Sequence, residues 1–522
     1  MPLRRTMGET PSGFVIPKTQ VSKPRLSASA VLSRVVNNSD EILLGHRVSE
    51  MPSFPDFWSF PGGGISKIDE KVGELYPNLL AEKGKDRVAS IALLRELVEE
   101  IGLTPNKDGK MISLDGKIRE IVCEDKKNWL KEFEEGNIII EKFDANVISE
   151  RVTPPFTPIR FQNRFFHVSV KNNDIGPTFP PGRTEFDEFK WWKPHELLNS
   201  WKQNEIRLPP PIVTLIRDLV ESMDNLGNLE NACNLMARER PSGYHRIEFS
   251  PEVECFPIRV ATLPPSTHTN CYILGEEGGD RVIVDPAAKS ERSISEFSDK
   301  VSEILDTGST IIATIFTHRH PDHIGDLSKI SEIYQAPIWA SKETYEAIPE
   351  CDSDIILKEG SEFALKGRSG ESIWKVIETP GHCPGHICLI GESGIISGDN
   401  CVGVGTILVP SEEGDMGNYV SGLEKLRDMR PKMLFPGHGP LIANPSKLLN
   451  KYIDHRKNRQ VKILEAISKG ISDLGEITKF TYLDTSNVNI VLANDQVLAH
   501  LIQLIKEKKV RKDGRRYYLH GH

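Results

Sequence analysis

The chain has 522 residues, of which 38% are hydrophobic and 27% are charged, and its formal net charge is −9. This length predicts about two to four globular domains, and the charge argues against a protein that coats nucleic acid over its whole surface. No apolar run reaches the roughly 20 residues that span a bilayer, so a membrane partner is not expected. The eight cysteines form no C-x-x-C pair, which favours reduced thiols and an intracellular compartment.

Residues 1–24 are predicted to be a terminal arm. Four of them are basic and Glu9 is acidic, a balance found in mitochondrial or plastid targeting segments. Prolines interrupt the arm and no amphipathic pattern is present, so a disordered terminus and a cytoplasmic location are the favoured interpretation.

A group of acidic residues lies on one predicted helix, residues 89–103, within a predicted domain of residues 25–222. Glu96, Glu99 and Glu100 have the spacing i, i+3 and i+4, which places the three carboxylates on one helix face. Such a cluster repels itself unless a divalent cation neutralises it, and carboxylate oxygens suit Mg²⁺ or Mn²⁺. The alternative is a solvated acidic face.

The stretch from Arg95 to Leu103, RELVEEIGL, resembles the second half of a Nudix box. Pro-Gly-Gly at 61–63 and the later Glu185 and Trp191 are also Nudix-like. The resemblance implies a Nudix-like α/β/α domain that acts on or binds nucleoside diphosphate derivatives. The first half of the box departs from the family pattern, because Ala81 and Arg87 occupy positions where glycine and glutamate are usual. Glu82 is the candidate replacement for the missing glutamate. The sequence is therefore compatible with either an active or an inactive site. The implied cation site comprises Arg95, Glu96, Glu99 and Glu100.

Residues 223–245 are polar, with asparagines, glycines and a Pro-Ser-Gly turn. This composition predicts a linker between domains.

The motif H-x-H-x-D-H at 318–323 lies within a second predicted domain, residues 246–445. It follows a short β-branched run, residues 311–316, that is typical of a buried strand. Neutral imidazole and carboxylate oxygen are ligands that zinc accepts. Four such groups within six residues can face two adjacent metal ions.

The same pattern recurs three times downstream. His382 and His386 follow the apolar residues 373–377, Asp399 follows 394–396, and His438 follows 433–435. Each time a predicted strand ends and a metal-type residue follows, which scattered surface histidines would rarely match in order. Cys383, inside one motif, is predicted to be a small packed residue.

These motifs resemble the metallo-β-lactamase superfamily over residues 250–445. The resemblance implies an αβ/βα sandwich with two zinc ions bridged by Asp399, and a metal-activated hydroxide that attacks the substrate. Asp322 would also be catalytic by orienting the hydroxide or accepting its proton, and His386 would contact the substrate or serve as a hydrogen-bond partner of the ligands. The implied zinc ligands are His318, His320, Asp322, His323, His382, Asp399 and His438.

Residues 446–522 are predicted to form a basic helical domain. Two helical patterns precede Asp513-Gly514, a hairpin signal, so a winged-helix-like domain is expected. The segment contains fifteen Lys and Arg against eight Asp and Glu, a balance of +7, so the rest of the chain carries −16. This asymmetry favours a phosphate backbone as partner, and the alternative is a packing or homodimerisation domain. The candidate contacts are Arg456, Arg459, Lys512 and Arg515.

The Pro-Gly-His-Gly-Pro motif at 436–440 and the basic helix resemble the LACTB-like branch, which is associated with cleavage of single-stranded RNA. The first functional hypothesis is therefore a binuclear zinc hydrolase of RNA phosphodiesters, fused to a Nudix-like domain. The second is a glyoxalase II-like hydrolase of small coenzyme A or glutathione thioesters. The third is a nucleotide-binding protein whose zinc domain is structural, which the complete ligand set argues against.

Overall fold

The computed structural model describes residues 10, 14–17, 19–76, 85–139, 142–182, 184–348, 355–486 and 488–521. The chain divides into two compact units, which are described separately. The first unit comprises Ser22–Pro154 and Ile159–Pro251, and the second comprises Met1–Val21, Pro155–Pro158 and Glu252–His522.

In the first unit, groups of strands are followed along the chain by groups of helices. Its elements are β1 Arg25–Val36, β2 Ser39–Arg47, β3 Trp58–Ser59, β4 Gly62–Gly64, α1 Lys67–Leu75, α2 Lys85–Glu96 followed by a π-helical turn Leu97–Ile101, β5 Leu103–Pro105, β6 Met111–Ser113, α3 Gly116–Glu124, α4 Lys127–Glu134, β7 Ala145–Val152, β8 Phe161–Ser169, β9 Phe186–Trp192, α5 Pro194–Lys202, α6 Pro210–Leu226, α7 Leu229–Glu239, β10 Ser242–Gly243 and β11 Ile247–Ser250.

A mixed sheet runs through the centre of the first unit in the order β10-β7-β8-β1-β2-β3, with β4 paired to β1 and β9 to β2. Because side chains alternate along a strand, β1 contributes to two cores. Ala30 and Leu32 pack with residues of α2, whereas Val31 packs with residues of α5, α6 and α7. The unit therefore has helices on both faces of the sheet.

The prediction that residues 223–245 form a linker is wrong. Helix α6 continues to Leu226, and α7 occupies residues 229–239 with Leu229, Cys233 and Met236 buried in the core of the first unit. The apolar residues recur at helical spacing within a polar sequence, and one buried stripe is enough to fix a helix against a core.

The second unit contains two sheets and their covering helices. Its elements are β12 Val253–Arg259, β13 His268–Leu274, β14 Asp280–Val284, α8 Glu291–Asp306, β15 Thr310–Ile315, α9 Pro321–Ile324, α10 Leu327–Ile333, β16 Ile338–Ala340, α11 Lys342–Glu346, β17 Ile355–Ile356, β18 Glu362–Lys366, β19 Glu371–Glu378, β20 Ile387–Ile390, β21 Ile395–Gly398, α12 Met416–Asp428, β22 Leu434–Pro436, α13 Pro445–Ser468, α14 Leu474–Thr481, α15 Ile490–Lys506, β23 Val510–Asp513 and β24 Arg516–Leu519.

The two sheets of the second unit have the orders β12-β13-β14-β15-β16-β17 and β18-β19-β20-β21-β22. Phe297 and Val301 of α8 are buried against the first sheet, and Tyr419 and Leu423 of α12 are buried against the second. The sheets meet where the Tyr272 hydroxyl donates to the Pro436 carbonyl at 2.8 Å. This layering matches the predicted αβ/βα sandwich.

The C-terminal segment packs α13, α14 and α15 with the hairpin β23–β24 around Ile463, Val497 and Tyr517. Asp513 pairs with Arg516, so the two-residue turn is Gly514-Arg515, one position later than Asp-Gly. None of the described helices is long and apolar enough to cross a membrane.

Candidate metal centre

The predicted ligands lie at the ends of strands of the second unit. Strand β15 ends at Ile315 just before the H-x-H-x-D-H motif, β19 ends at Glu378 before His382, β21 ends at Gly398 before Asp399, and β22 ends at Pro436 before His438. The strands belong to both sheets of the second unit, so residues distant in sequence meet where strands of the two sheets end.

Three imidazoles form the first group of ligand-type atoms. His320 Nδ1 lies 3.1 Å from His318 Nε2 and 2.9 Å from His382 Nε2. All three side chains are buried. Their ligand-type atoms lie within 4.8 Å of one another, so three imidazoles can share one ion.

The second group contains Asp322, His323 and His438. His438 Nε2 lies 3.4 Å from Asp322 Oδ2 and 3.3 Å from His323 Nε2. Asp399 lies between the two groups, because its carboxylate is 3.5 Å from His323 Nε2 and 3.7 Å from His382 Nε2. The structure therefore brings together all seven predicted ligands, with Asp399 in a bridging position.

The outer ring nitrogens of these histidines are held by other groups. His323 Nδ1 bonds Asp285 Oδ2 at 2.8 Å, and His320 Nε2 bonds Glu413 Oε1 at 2.8 Å. His382 Nδ1 donates to the Leu408 carbonyl at 2.7 Å. Such partners select the tautomer and leave the inner nitrogen free to bind a metal.

The electrostatics of the cluster fit cations. Burial raises the free energy of the Asp399 carboxylate, but the facing imidazoles of His438 and His323 more than offset this and hold its pKa well below the ordinary value. Burial and the neighbouring His323 lower the pKa of His318, which favours the neutral ligating form. Asp399 Oδ1 is buried without a hydrogen-bond partner, as expected of an atom whose partner is an ion.

The structure places His386 as a hydrogen-bond partner of the ligands, one of its two predicted roles. Its side chain is fully buried, its Nε2 accepts from the Asp399 backbone N–H at 3.0 Å, and its Nδ1 lies 2.9 Å from Thr379 Oγ1. It therefore positions Asp399, which is the predicted hydrogen-bonding role. Cys383 is also fully buried, as predicted for a packed residue.

A cavity of about 130 Å³ opens onto the ligand cluster. Its wall away from the ligands is mostly apolar, and no lysine or arginine is among the described residues that line it. Thr10 and Ile16 of the terminal arm also line it, and residues 11–13 of the arm lie outside the described residues. The other apolar lining residues include Leu263, Pro264, Val402, Ile407 and Leu408.

Two of the four predicted phosphate contacts are wrong. Arg456 is buried and donates to Gln496 Oε1 and the Ile407 carbonyl, and Arg459 is buried and donates to the Thr481 carbonyl. Both face inward because the helix that carries them packs against two neighbours. Lys512 and Arg515, on the hairpin, are exposed but do not line the cavity.

In the first unit, Arg95 is the centre of the acidic cluster. It is fully buried, donates to Glu99 Oε2 at 2.9 Å, and lies 2.8 Å from Glu96 Oε1. The predicted helix 89–103 is helical as far as Ile101, but its last turn is π-helical from Leu97, and Leu103 begins β5. Glu100 Oε2 accepts the Gly62 N–H at 2.7 Å, so the glycines pack against the cluster.

Asp69 is the buried carboxylate that the sequence analysis missed. Its oxygens accept from Arg95 Nε at 2.9 Å and from Arg95 Nη2 at 3.0 Å. It lies on α1, between the glycines and α2. Glu82 and Ala81 lie outside the described residues. Burial raises the pKa of Glu96 to about 7, which favours cation binding at higher pH.

The part of the chain that contains the ligand cluster matches a known protein family. A model described as the metallo-beta-lactamase superfamily matches residues 265–438, the stretch that contains all seven ligand-type residues. The chain contains a metallo-β-lactamase superfamily domain. The prediction of a hydrolase of this type is thus confirmed for the domain, whose ligand set is complete.

Individual proteins and solved structures are similar to parts of this chain. A "Beta-lactamase-like protein 2 homolog" of Drosophila melanogaster is 29% identical over 49% of this chain and 89% of its own length. An "Atrochrysone carboxyl ACP thioesterase" of Pseudocercospora fijiensis is 29% identical over 38% of this chain and 56% of its own length. A solved NUDIX hydrolase of Alicyclobacillus acidocaldarius is 23% identical over 41% of this chain and 97% of its own, with a TM-score of 0.36.

Asp285 was also missed, although it directly follows strand β14. Its Oδ1 accepts the Thr317 N–H at 2.8 Å while its Oδ2 faces His323. In Asp285→Asn the amide would present a donor to the His323 Nδ1–H, so we expect about a 10–100-fold loss of metal affinity in the metallo-β-lactamase domain. Chelator titration of zinc measures the loss. The exposed Asp306→Asn should behave like the wild type, and an unchanged affinity in Asp285→Asn would contradict this role.

Proposed function

We propose that the metallo-β-lactamase domain hydrolyses acyl thioesters, the second hypothesis of the sequence analysis. The observation that carries this proposal is the cavity over the ligand cluster, whose wall away from the ligands is mostly apolar and contains no lysine or arginine among the described residues. Apolar walls bind an acyl chain, whereas a polyphosphate backbone needs cations. The relative described as an ACP thioesterase supports the same class of substrate.

The donor set fits a binuclear zinc site, with His318, His320 and His382 for one ion, Asp322, His323 and His438 for the other, and Asp399 for both. Bound zinc would lower the pKa of a water molecule to about 7 and polarise the thioester carbonyl.

The protein's own groups would then control the attack. Burial raises the pKa of Asp322, but the hydrogen bond to His438 and the charge of His323 lower it more, so the carboxylate stays ionised. It can therefore orient water as an acceptor. The leaving thiol has an ordinary pKa of about 8.5 and departs as a thiolate with little help from a general acid.

Cleavage of single-stranded RNA is the competing outcome. Its predicted contacts Arg456 and Arg459 are buried, which leaves Lys512 and Arg515 on the hairpin as the remaining predicted contacts. RNA binding through that surface would weaken steeply with salt, whereas hydrolysis of a thioester would not.

A substrate panel separates the two outcomes. We expect the zinc-loaded chain to release thiol from acyl-coenzyme A at a rate that changes little with salt, and to leave a single-stranded RNA oligonucleotide intact. The double substitution Lys512→Ala and Arg515→Ala should not alter thioester hydrolysis. Salt-sensitive RNA cleavage that this variant loses, without thiol release by either protein, would contradict the proposal.

For the first unit we propose a Nudix-like cation site at Glu96, Glu99 and Glu100 that serves a nucleoside diphosphate. The support is Asp69, which supplies to Arg95 the carboxylate that the first half of the box lacks. A Cβ at Gly63 would lie 2.4 Å from Glu96 Oε1, so any side chain at this position would displace the Glu96 carboxylate. Mg²⁺ or Mn²⁺ is the expected ion. Coenzyme A contains a diphosphate, so both units would act on one class of substrate.

A further inference from the structure

One wall of the cavity is an irregular segment, residues 402–411, that follows Asp399. Seven of its residues line the cavity. The backbone of residues 402–410 forms no helix or strand, so the polar groups of this segment need hydrogen-bond partners elsewhere. The C-terminal helices α13 and α15 supply many of them.

The contacts are regularly distributed along the segment. The Tyr452 hydroxyl lies 2.8 Å from the Val402 carbonyl and 2.7 Å from the Gly405 carbonyl. Arg456 donates to the Ile407 carbonyl. Further along, Ser411 Oγ lies 2.6 Å from Asp495 Oδ1. Side chains of the two helices therefore set the path of this wall.

Gln496 occupies the centre of this network. Its Nε2 donates to the Val409 carbonyl at 2.8 Å, and its Oε1 accepts from the Val409 N–H at 3.3 Å and from Arg456 Nη1 at 2.8 Å. It thus bonds both polar groups of one backbone residue, as a neighbouring strand would. Val409 is next to Leu408, whose carbonyl accepts from His382 Nδ1.

We propose that Gln496 is a positioning and specificity-determining residue of the hydrolase, acting through the 402–411 wall. It fixes where Ile407 and Leu408 stand in the cavity, and so the length of acyl chain that is accepted. Through the Leu408 carbonyl it also fixes the orientation of the ligand-type residue His382. The acyl-chain part of this inference rests on the proposed thioesterase function, whereas the His382 part does not.

Gln496→Leu tests both parts, because leucine has similar volume and makes none of the three hydrogen bonds. We expect kcat/KM for the preferred member of acetyl-, hexanoyl- and palmitoyl-coenzyme A to fall about tenfold, with the preference among the three flattened. We also expect zinc to leave for a chelator about tenfold faster. The matched control is Gln503→Leu on the same helix, whose amide bonds Glu507, and which should change neither readout.

The two readouts separate the possible failures. If the wild type releases no thiol from any of the three esters, the thioesterase proposal fails, and the zinc release rate alone decides the role of Gln496. If Gln496→Leu keeps both the ester preference and the wild-type zinc release rate, the inference is overturned. If Gln496→Leu does not fold, Ser411→Ala removes one bond from the C-terminal end of the wall and must shift both readouts in the same direction; no shift would overturn the inference.

Discussion

Asp399→Asn is expected to reduce hydrolysis by the metallo-β-lactamase domain about a thousandfold or more while the domain stays folded. This loss should exceed the ~10–100-fold effect of changing an outer partner of a ligand, because Asp399 faces both groups of ligands. Its carboxylate lies 3.5 Å from His323 and 3.7 Å from His382. The neutral amide removes the one negative charge placed between the two groups.

The measurement is thiol release together with zinc content per chain. We expect Asp399→Asn to retain less zinc than the wild type and to keep the wild-type circular dichroism spectrum. Asp326→Asn is the matched control, since Asp326 caps helix α10 through the Lys329 N–H and asparagine caps equally well. Full zinc content and full activity in Asp399→Asn would refute the bridging role.

Asp69→Ala is expected to destabilise the first unit by about 3–5 kcal/mol, because it leaves the buried Arg95 guanidinium without its main partner. Both side chains are fully buried, and Asp69 accepts two hydrogen bonds from Arg95 while also accepting from the Ser66 N–H at the start of α1. Removal of the carboxylate therefore disturbs the cap of α1 and the position of Arg95 together.

Urea unfolding, monitored by hydrogen exchange of the amides in α1 and α2, measures the free energy of unfolding of the first unit. Glu70→Ala is the control, because Glu70 is the next residue of the same helix and is exposed. We expect its stability to lie within about 0.5 kcal/mol of the wild type. If Asp69→Ala unfolds at the same urea concentration as Glu70→Ala, the buried pair has no structural role.

Local patterns were enough to predict which side chains meet at the candidate metal centre. Each group of ligand-type residues follows a short apolar run, and a buried strand is recognisable from such a run. The H-x-H-x-D-H spacing is also local, so it places His318, His320 and His323 without knowledge of the rest of the chain. The partner of a side chain across the fold is not local, and Asp285 and Glu413 could not be assigned from the sequence.

The same limit explains the errors. Arg456 and Arg459 were predicted to face a phosphate backbone because a basic helix is commonly exposed, and only the packing of α13 on the 402–411 wall and on α14 shows that they face inward. The region 223–245 was predicted to be a linker because its composition is polar, although the few apolar residues of α7 suffice to bury one face.

By itself the sequence determined the donor atoms of the metal centre and their order along the chain, because these depend on residue type and on spacing within single strand exits. Only the tertiary structure decided which oxygen holds which ring nitrogen, that Asp69 completes the Arg95 cluster, and that Gln496 supports the cavity wall. Those assignments depend on contacts between residues far apart in the chain, such as His320 and Glu413, which are 93 residues apart. The free energy of burial selects such contacts, and they leave no pattern in the local spacing of residues.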